Sequence, residues 1–367
     1  MKHRFLKYSS AAIFLALMSA AARPAFAWRR TLNWHLQHER RAPRRKKKPA
    51  PPKPEPARLM PGRWTPQVRA AIDRMIALKG KLSPGYDADR PPVAVLPWSD
   101  AAVAGDPAEL VFLRLVTDVK FKIDDDWWTI VPIAYGRQPI RAAYEQFIGL
   151  PRAVWAQQPG YMAWRKGMLS SYLDLCRRVG RKECRSYLAE LWAGWREDDA
   201  EEYAAKALDD EMNTPATSEL VPDQLGDPKP LRARRGLRVI PEMRDLVAKL
   251  RASGFDVWVV DDVPQPVLEA SATTYGVDPS RVYGVVNSTD GPRLGADVVL
   301  PVPTRGGKTA IVQTSLGRPP DFALGRDEAD LDLLSYGDGL RVVLDGDPRL
   351  VRKAREHGWL VQPALAR

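Results

Sequence analysis

Acidic residues follow apolar, strand-like runs at three places in this chain, and a lysine opens a helix after a fourth. Asp100 comes shortly after PPVAVL (residues 91–96), Asp261 and Asp262 directly after FDVWVV (255–260), and Asp327 and Asp330 shortly after FALG (322–325). Lys308 stands in GGKT, after DVVLPV (297–302). Carboxylates so placed can act as nucleophiles, as general acids or bases, or as hard oxygen ligands for a divalent cation. In an open parallel sheet ligands bind outside the carboxyl ends of the strands, so such residues lie where chemistry would be. The four histidines are scattered and none lies near Cys176 or Cys184, which argues against a histidine–cysteine metal site.

The elements that must position these residues can be read from pattern. PVAVL (92–96) is a continuous, Val-rich apolar run closed by Pro97, the mark of a central parallel strand buried on both faces. Before it, Val68, Ile72, Met75 and Ile76 fall at helical spacing within 64–80, with Thr65 as N-cap, Pro66 in the first turn and Gly80 as the stop. A helical pattern resumes at 107–116 and again over 139–212, where Tyr144, Phe147, Trp164 and Trp192 are among the core candidates. Trp127 and Trp128, in DDDWWTIVPI, are read as core aromatics rather than pocket lining. Acidic residues 197–202 read as a solvated helix face, and residues 213–235, rich in Pro, Asp and Arg, as a connector. An amphipathic helix at 240–253, stopped by Gly254, feeds the strand at 255–260, and a helix follows at 267–275. Further strands are expected at 281–286, 297–302, 340–344 and 359–361.

Three stretches resemble the haloacid dehalogenase (HAD) superfamily of phosphatases, most closely a bacterial subgroup with a helical cap. RPPVAVLPWSDAAVAGD (90–106) is similar to that subgroup's first motif, roughly VAVFDWDNTVIKND. GFDVWVVDDVPQPVLEA (254–270) is similar to GFDVWVVSASPQPVVEA, and DFALGRDEADLDLL (321–334) to AAGDSDTDLPML. The resemblance implies a Rossmann-like α/β core, a parallel sheet with helices on both faces, carrying an inserted all-helical cap. It divides the body into core segments 64–106 and 236–367 around a cap at 107–235.

The resemblance also says where the family's chemistry would fall. Pro97 stands at the nucleophilic Asp, Ser99 at the acid/base Asp, and Asp100 and Ala101 at the Asn and Thr that follow. Asp261 replaces the phosphate-binding Ser of the second motif, and Lys308 matches the charge-neutralising Lys of the third. In the fourth motif Arg326 stands at the first magnesium-binding Asp and Asp330 at a later one. Proline cannot be a nucleophile, a carboxylate at 261 repels phosphate, and a guanidinium at 326 disfavours a metal. The frame is kept and no intact catalytic set remains. Lys308 and Asp330 are remnants; Asp100, Asp262 and Asp327 are the carboxylates on which rebuilt chemistry would draw; Asp327 and Asp330 are weak metal candidates. No cofactor is expected, and magnesium enters only with a rebuilt site.

The ends of the chain carry different information. Lys2, Arg4 and Lys7 precede an apolar run at 11–22 and then Ala25-Phe26-Ala27, the layout of a secretory signal (1–27) cleaved after Ala27. The run is too short to span a bilayer easily, so no transmembrane segment is expected in the mature chain, whose place is the periplasm or outside the cell. A basic, Pro-rich tether occupies 28–63; from Arg29 to Arg63 it holds twelve Lys/Arg and two Glu. The whole chain of 367 residues carries +11; with +10 in the tether and +4 in the signal segment (Lys2, Arg4, Lys7, Arg23), about −3 is left for residues 64–367. The basic balance thus belongs to the tail, and the folded body is not expected to bind nucleic acid. The tether reads as an extended spacer, or alternatively as an electrostatic anchor to anionic envelope surfaces. Cys176 and Cys184 are the one pair available for a disulfide in an oxidising compartment; free thiols are the other reading. Three functions follow. The first is a secreted pseudophosphatase, a non-catalytic binding or regulatory module with a small ligand or protein in the cap–core crevice. The second is an active phosphomonoester hydrolase using substitute carboxylates, and the third an envelope structural protein anchored by its tail.

Overall fold

In a computed structural model, residues 54–365 are described; the signal segment and the tether up to residue 53 lie outside them. The strand Val93–Leu96 is buried at every position and pairs in parallel with Asp256–Pro264 on one side and Phe322–Gly325 on the other. It lies inside a six-stranded parallel sheet whose order is Leu360–Gln362, Leu340–Leu344, Phe322–Gly325, Val93–Leu96, Asp256–Pro264, Val282–Val285. Side chains alternate between the faces of a strand. Ala94 and Leu96 accordingly join a core with Ile72 of helix Pro66–Lys79 and Leu246 and Val247 of helix Pro241–Ala252. Val93 and Val95 join Trp258 and Val260 with Val312 of helix Gly306–Leu316 and Leu333 of helix Leu331–Leu334. Cover on both faces is why this strand has no polar position. The α/β core class read from the sequence is the one observed.

Helix Pro66–Lys79 starts as expected, with the Val68 amide donating to Thr65 Oγ1 at 3.3 Å. The segment entering it is pinned by Glu242, whose carboxylate accepts from Arg63 N at 3.0 Å, Nε at 2.9 Å and Nη2 at 3.0 Å. Those bonds outweigh burial and hold the Glu242 carboxyl down at about 2, against an ordinary 4.5. A carboxyl depressed by folding contributes stability above its unfolded value and loses it as pH falls through the folded one. Urea midpoints of the native protein and of Glu242→Gln should therefore differ at neutral pH and converge between pH 4.5 and about 2. A gap unchanged down to pH 2 would refute this role.

Helices Pro107–Asp118, Arg137–Phe147, Pro159–Arg178, Arg181–Glu190 and Glu197–Asn213 follow the turn after the central strand. Trp127, Trp128 and Trp164 are buried, Trp128 and Trp164 meet edge to face at 6.2 Å, and Trp164 Nε1 donates to the Val116 carbonyl at 3.0 Å. The WW pair is core, as read. Two expectations are corrected. Residues 213–235 are not a bare connector, because Thr217–Val221 and Leu231–Arg235 pair antiparallel, so the helical insertion ends in a hairpin. LRARR lacks the β-branched and aromatic residues that mark a strand, and the Pro/Asp-rich turn masked its partner. Nor is 297–302 a strand: Arg293–Val298 pairs antiparallel with Asn287–Asp290 and ends before Val299 and Leu300, which are exposed. Pro301, which has no amide to donate, discourages continuation. No described helix is long and apolar enough to cross a membrane.

Candidate functional site

Pro97 closes the central strand, and the turn after it is held by its own side chains. Trp98 is fully buried, donates from Nε1 to Ser271 Oγ at 2.7 Å and stands edge-on to Tyr275 at 4.9 Å. The Tyr275 hydroxyl donates to the Ala102 carbonyl at 2.7 Å. Asp100, at φ +50°, closes the loop: its amide donates to the Gly105 carbonyl and its carboxylate accepts the Gly105 amide, both at 2.9 Å. A turn fixed this firmly presents its first amides in one direction.

Those amides meet Asp261. The amides of Trp98 and Ser99 both donate to Asp261 Oδ2 at 2.7 Å. Oδ1 accepts from the Asp262 amide at 2.8 Å and lies 3.5 Å from the Lys308 ammonium. Two convergent backbone amides and an ammonium make an anion hole, and the anion in it is the protein's own carboxylate. Asp261 comes from strand Asp256–Pro264 where its register against Val282–Val285 shifts between Val260 and Pro264. Such irregularities re-aim side chains near functional sites. There two successive carboxylates, Asp261 and Asp262, are buried.

Lys308 is 1% exposed, so it is not a surface lysine. It donates to Asp330 Oδ1 at 2.6 Å, while Asp330 Oδ2 accepts the amides of Arg326 at 2.8 Å and Asp327 at 3.3 Å. Burial alone would lower the Lys308 ammonium, but Asp330, Asp261 and Asp262 together hold it above the usual lysine range. The glycine before it has a packing reason: a Cβ on Gly307 would overlap the Val302 carbonyl. Gly307→Ala should displace the start of helix Gly306–Leu316 and cost about 1–3 kcal/mol, read from urea unfolding. A cost below a few tenths would contradict that close approach.

The insertion closes over the site with two guanidiniums. Arg181 pairs with both oxygens of Asp262, its Nη2 at 3.1 Å from Oδ1, and its Nη1 lies 2.9 Å from Asp327 Oδ2. Arg185, 4% exposed, forks onto Asp106, with Nη1 3.2 Å from Oδ1, and its Nε lies 3.4 Å from Asp262 Oδ1. Burial would raise the carboxyls of Asp106 and Asp262, yet the guanidiniums outweigh it and hold both below the usual carboxylate range. On the rim Arg234 pairs with Asp100 at 3.0 Å and Glu109 at 3.5 Å, and Arg326 Nε donates to the Asp100 carbonyl at 2.8 Å.

The structure thus gathers Pro97, Ser99, Asp100, Asp261, Asp262, Lys308, Arg326, Asp327 and Asp330 around one crevice and commits the charged ones to one another. Asp100, Asp262 and Asp327 are each engaged by arginine, which leaves none an unpaired base. Magnesium, which the resemblance brings to mind, does not fit this donor set. Pro97 offers no oxygen ligand from its side chain, Arg326 turns its guanidinium to Asp100, and both Asp330 oxygens already accept. Among the described residues no three or more His, Cys, Asp or Glu are grouped to hold a metal. Sequence reasoning missed Arg181, Arg185, Asp106 and Arg234. The available signal was the i, i+4 spacing of Arg181 and Arg185, which places both on one helix face. Cys176 and Cys184, flanking Arg181, are bonded.

Beside the ion pairs, between the turn, the first helix of the insertion and the hairpin, lies a cleft of about 410 Å³. Asp100, Gly105, Glu109, Ser218, Arg234 and Arg238 are among its walls.

Sheet, insertion and crevice define an α/β fold, an open parallel sheet carrying a largely helical insertion, whose anion hole is filled from within. No family model and no curated protein matches the chain. Among solved structures it is similar to a conserved functionally unknown protein from Anaerococcus prevotii DSM 20548. That likeness has 20% identity over 83% of this chain and 93% of the other, at a TM-score of 0.72, and it is one of fold. Looser overlaps include a HAD family hydrolase from Salmonella enterica serovar Typhi (11% identity, 71% and 64% covered, TM-score 0.36). A substrate-bound phosphoserine phosphatase gives 10% identity, 74% and 93% covered, at a TM-score of 0.39.

Proposed function

We propose that this chain is a secreted, non-catalytic HAD-like module that binds a small ligand or a protein at the cleft between insertion and core. One observation carries the reading: the Asp261 carboxylate accepts the Trp98 and Ser99 amides and faces Lys308, filling the place that an incoming phosphoryl group would need. A nucleophile is missing as well, since Pro97 ends the strand. The about 410 Å³ cleft lined by Glu109, Ser218 and Arg234 is the space we assign to the ligand. The signal segment supports a periplasmic or extracellular location, and the basic tether supports a spacer or a contact with anionic envelope surfaces.

Aryl-phosphate hydrolysis by the mature chain (residues 28–367), with and without magnesium, tests the reading. No turnover is expected from folded protein in either condition. Magnesium-dependent turnover abolished by Asp100→Asn or Asp330→Asn would replace it with a hydrolase on rebuilt carboxylates.

A further inference from the structure

The two guanidiniums that close the crevice stand beside a disulfide. Helix Pro159–Arg178 carries Cys176 in its last turn, the chain turns at Val179 and Gly180, and Cys184 lies in the next helix, Arg181–Glu190. Arg181 lies inside the loop closed by the bridge, and Arg185 directly follows it. Gly180 has φ +137°, a conformation that a side chain disfavours, which marks the pivot. The long helix is anchored by buried Tyr161, Trp164 and Met168, so the bridge ties the next helix to a fixed post.

Apart from the bridge and the ion pairs of Arg181 with Asp262 and Asp327, the first turn of that next helix has little buried contact. Arg181, Lys182 and Glu183 are exposed, whereas residues from Cys184 to Ala189 are buried. An open cleft of about 360 Å³, lined by Leu175, Lys182, Glu183 and Ser186 among others, flanks the turn and gives it room to shift. Withdrawing Arg181 frees Asp327 and opens one side of Asp262, but Arg185 remains 3.4 Å from Asp262. The opened state therefore keeps a counter-charge on its buried carboxylate and avoids the full cost of an unpaired one.

We propose that the Cys176–Cys184 bridge is a redox latch on the crevice. Oxidised, it holds Arg181 across Asp262 and Asp327; reduced, it lets the first helical turn swing about Gly180 and uncover Asp262. The reductant is a dithiol: it supplies two electrons and two protons, the S–S bond becomes two S–H groups, and the dithiol becomes a disulfide. The latch goes beyond the module reading and does not depend on which ligand the cleft takes.

Carbodiimide labelling of carboxylates on the mature chain, read by peptide mass spectrometry, tests it, with thiols counted by alkylation. Reduction by dithiothreitol is expected to raise labelling of Asp262 about tenfold or more while Asp330 and Asp106 stay protected, the pattern of local rather than global opening. The variant with both Cys176→Ser and Cys184→Ser should give the reduced pattern without reductant. Oxidised Arg181→Gln should label at Asp262 already, with little further rise on reduction. Asp262 protected in fully reduced protein overturns the latch. So does a parallel rise at Asp330 and Asp106, which would mean the fold as a whole had loosened.

Discussion

Lys308→Met is expected to remove about 3–5 kcal/mol of folding stability, the cost of breaking a buried pair from one side. The ammonium stands 2.6 Å from Asp330 and 3.5 Å from Asp261, and all three residues are almost wholly buried. Methionine matches the stem of lysine closely, so little of the loss comes from packing. What remains is two carboxylates facing each other without a cation. Adding Asp330→Asn should recover part of the loss, because it removes one of those charges while an amide oxygen still serves the Arg326 amide. Urea unfolding of both single variants and the double variant gives the coupling directly. Additive losses would show that the pair is not the source of the effect.

Arg185→Met should cost a similar amount, about 3–5 kcal/mol, and for a different part of the molecule. Its guanidinium is the most deeply buried ionic link between insertion and core: it forks onto Asp106 and reaches Asp262. Asp106 is also the N-cap of helix Pro107–Asp118, accepting the Ala108 amide at 3.0 Å and the Glu109 amide at 3.3 Å. Capping keeps Asp106 fixed even when the arginine is gone, so the carboxylate cannot simply swing out to water. The expected result is a large fall in unfolding free energy, accompanied by faster amide exchange in helix Arg181–Glu190. A variant as stable as the native protein would mean that the Arg185 pairs add nothing to the hold of insertion on core.

These two clusters show why the fold was more legible than the site. Val93–Leu96, set between Pro92 and Pro97, and the Val-rich start of Asp256–Pro264, set after Gly254, show the apolar runs that burial on both faces of a parallel sheet produces. Thr65 and Pro66 announced the first helix because capping is local in sequence. The hairpin closed by LRARR was hidden for the opposite reason, since its strand residues are half-exposed arginines that look like connector. At the site, the resemblance brought Pro97, Asp261, Lys308, Arg326 and Asp330 to the right end of the sheet. It did not say that Asp261 would turn onto the Trp98 and Ser99 amides, which depends on the register shift after Val260. Arg181 and Arg185 lie 81 and 79 residues from their partners Asp262 and Asp106, and no local pattern encodes such a pairing. The resemblance gave Lys308 the charge-neutralising role of the third motif, whereas here the glycine before it serves the approach of helix to Val302 and its ammonium balances two aspartates.

Asp261 is the resident anion of the hole formed by the Trp98 and Ser99 amides and Lys308. Titration of inorganic phosphate into the native protein and into Asp261→Ser, followed at the Trp98 and Ser99 amides by NMR, tests it most directly. The native protein should show no change at those two amides, and Asp261→Ser, with both amides released and one carboxylate removed from beside Lys308, should show saturable shifts at both. Phosphate shifting the Trp98 and Ser99 amides of the native protein as readily as those of the variant would contradict the account.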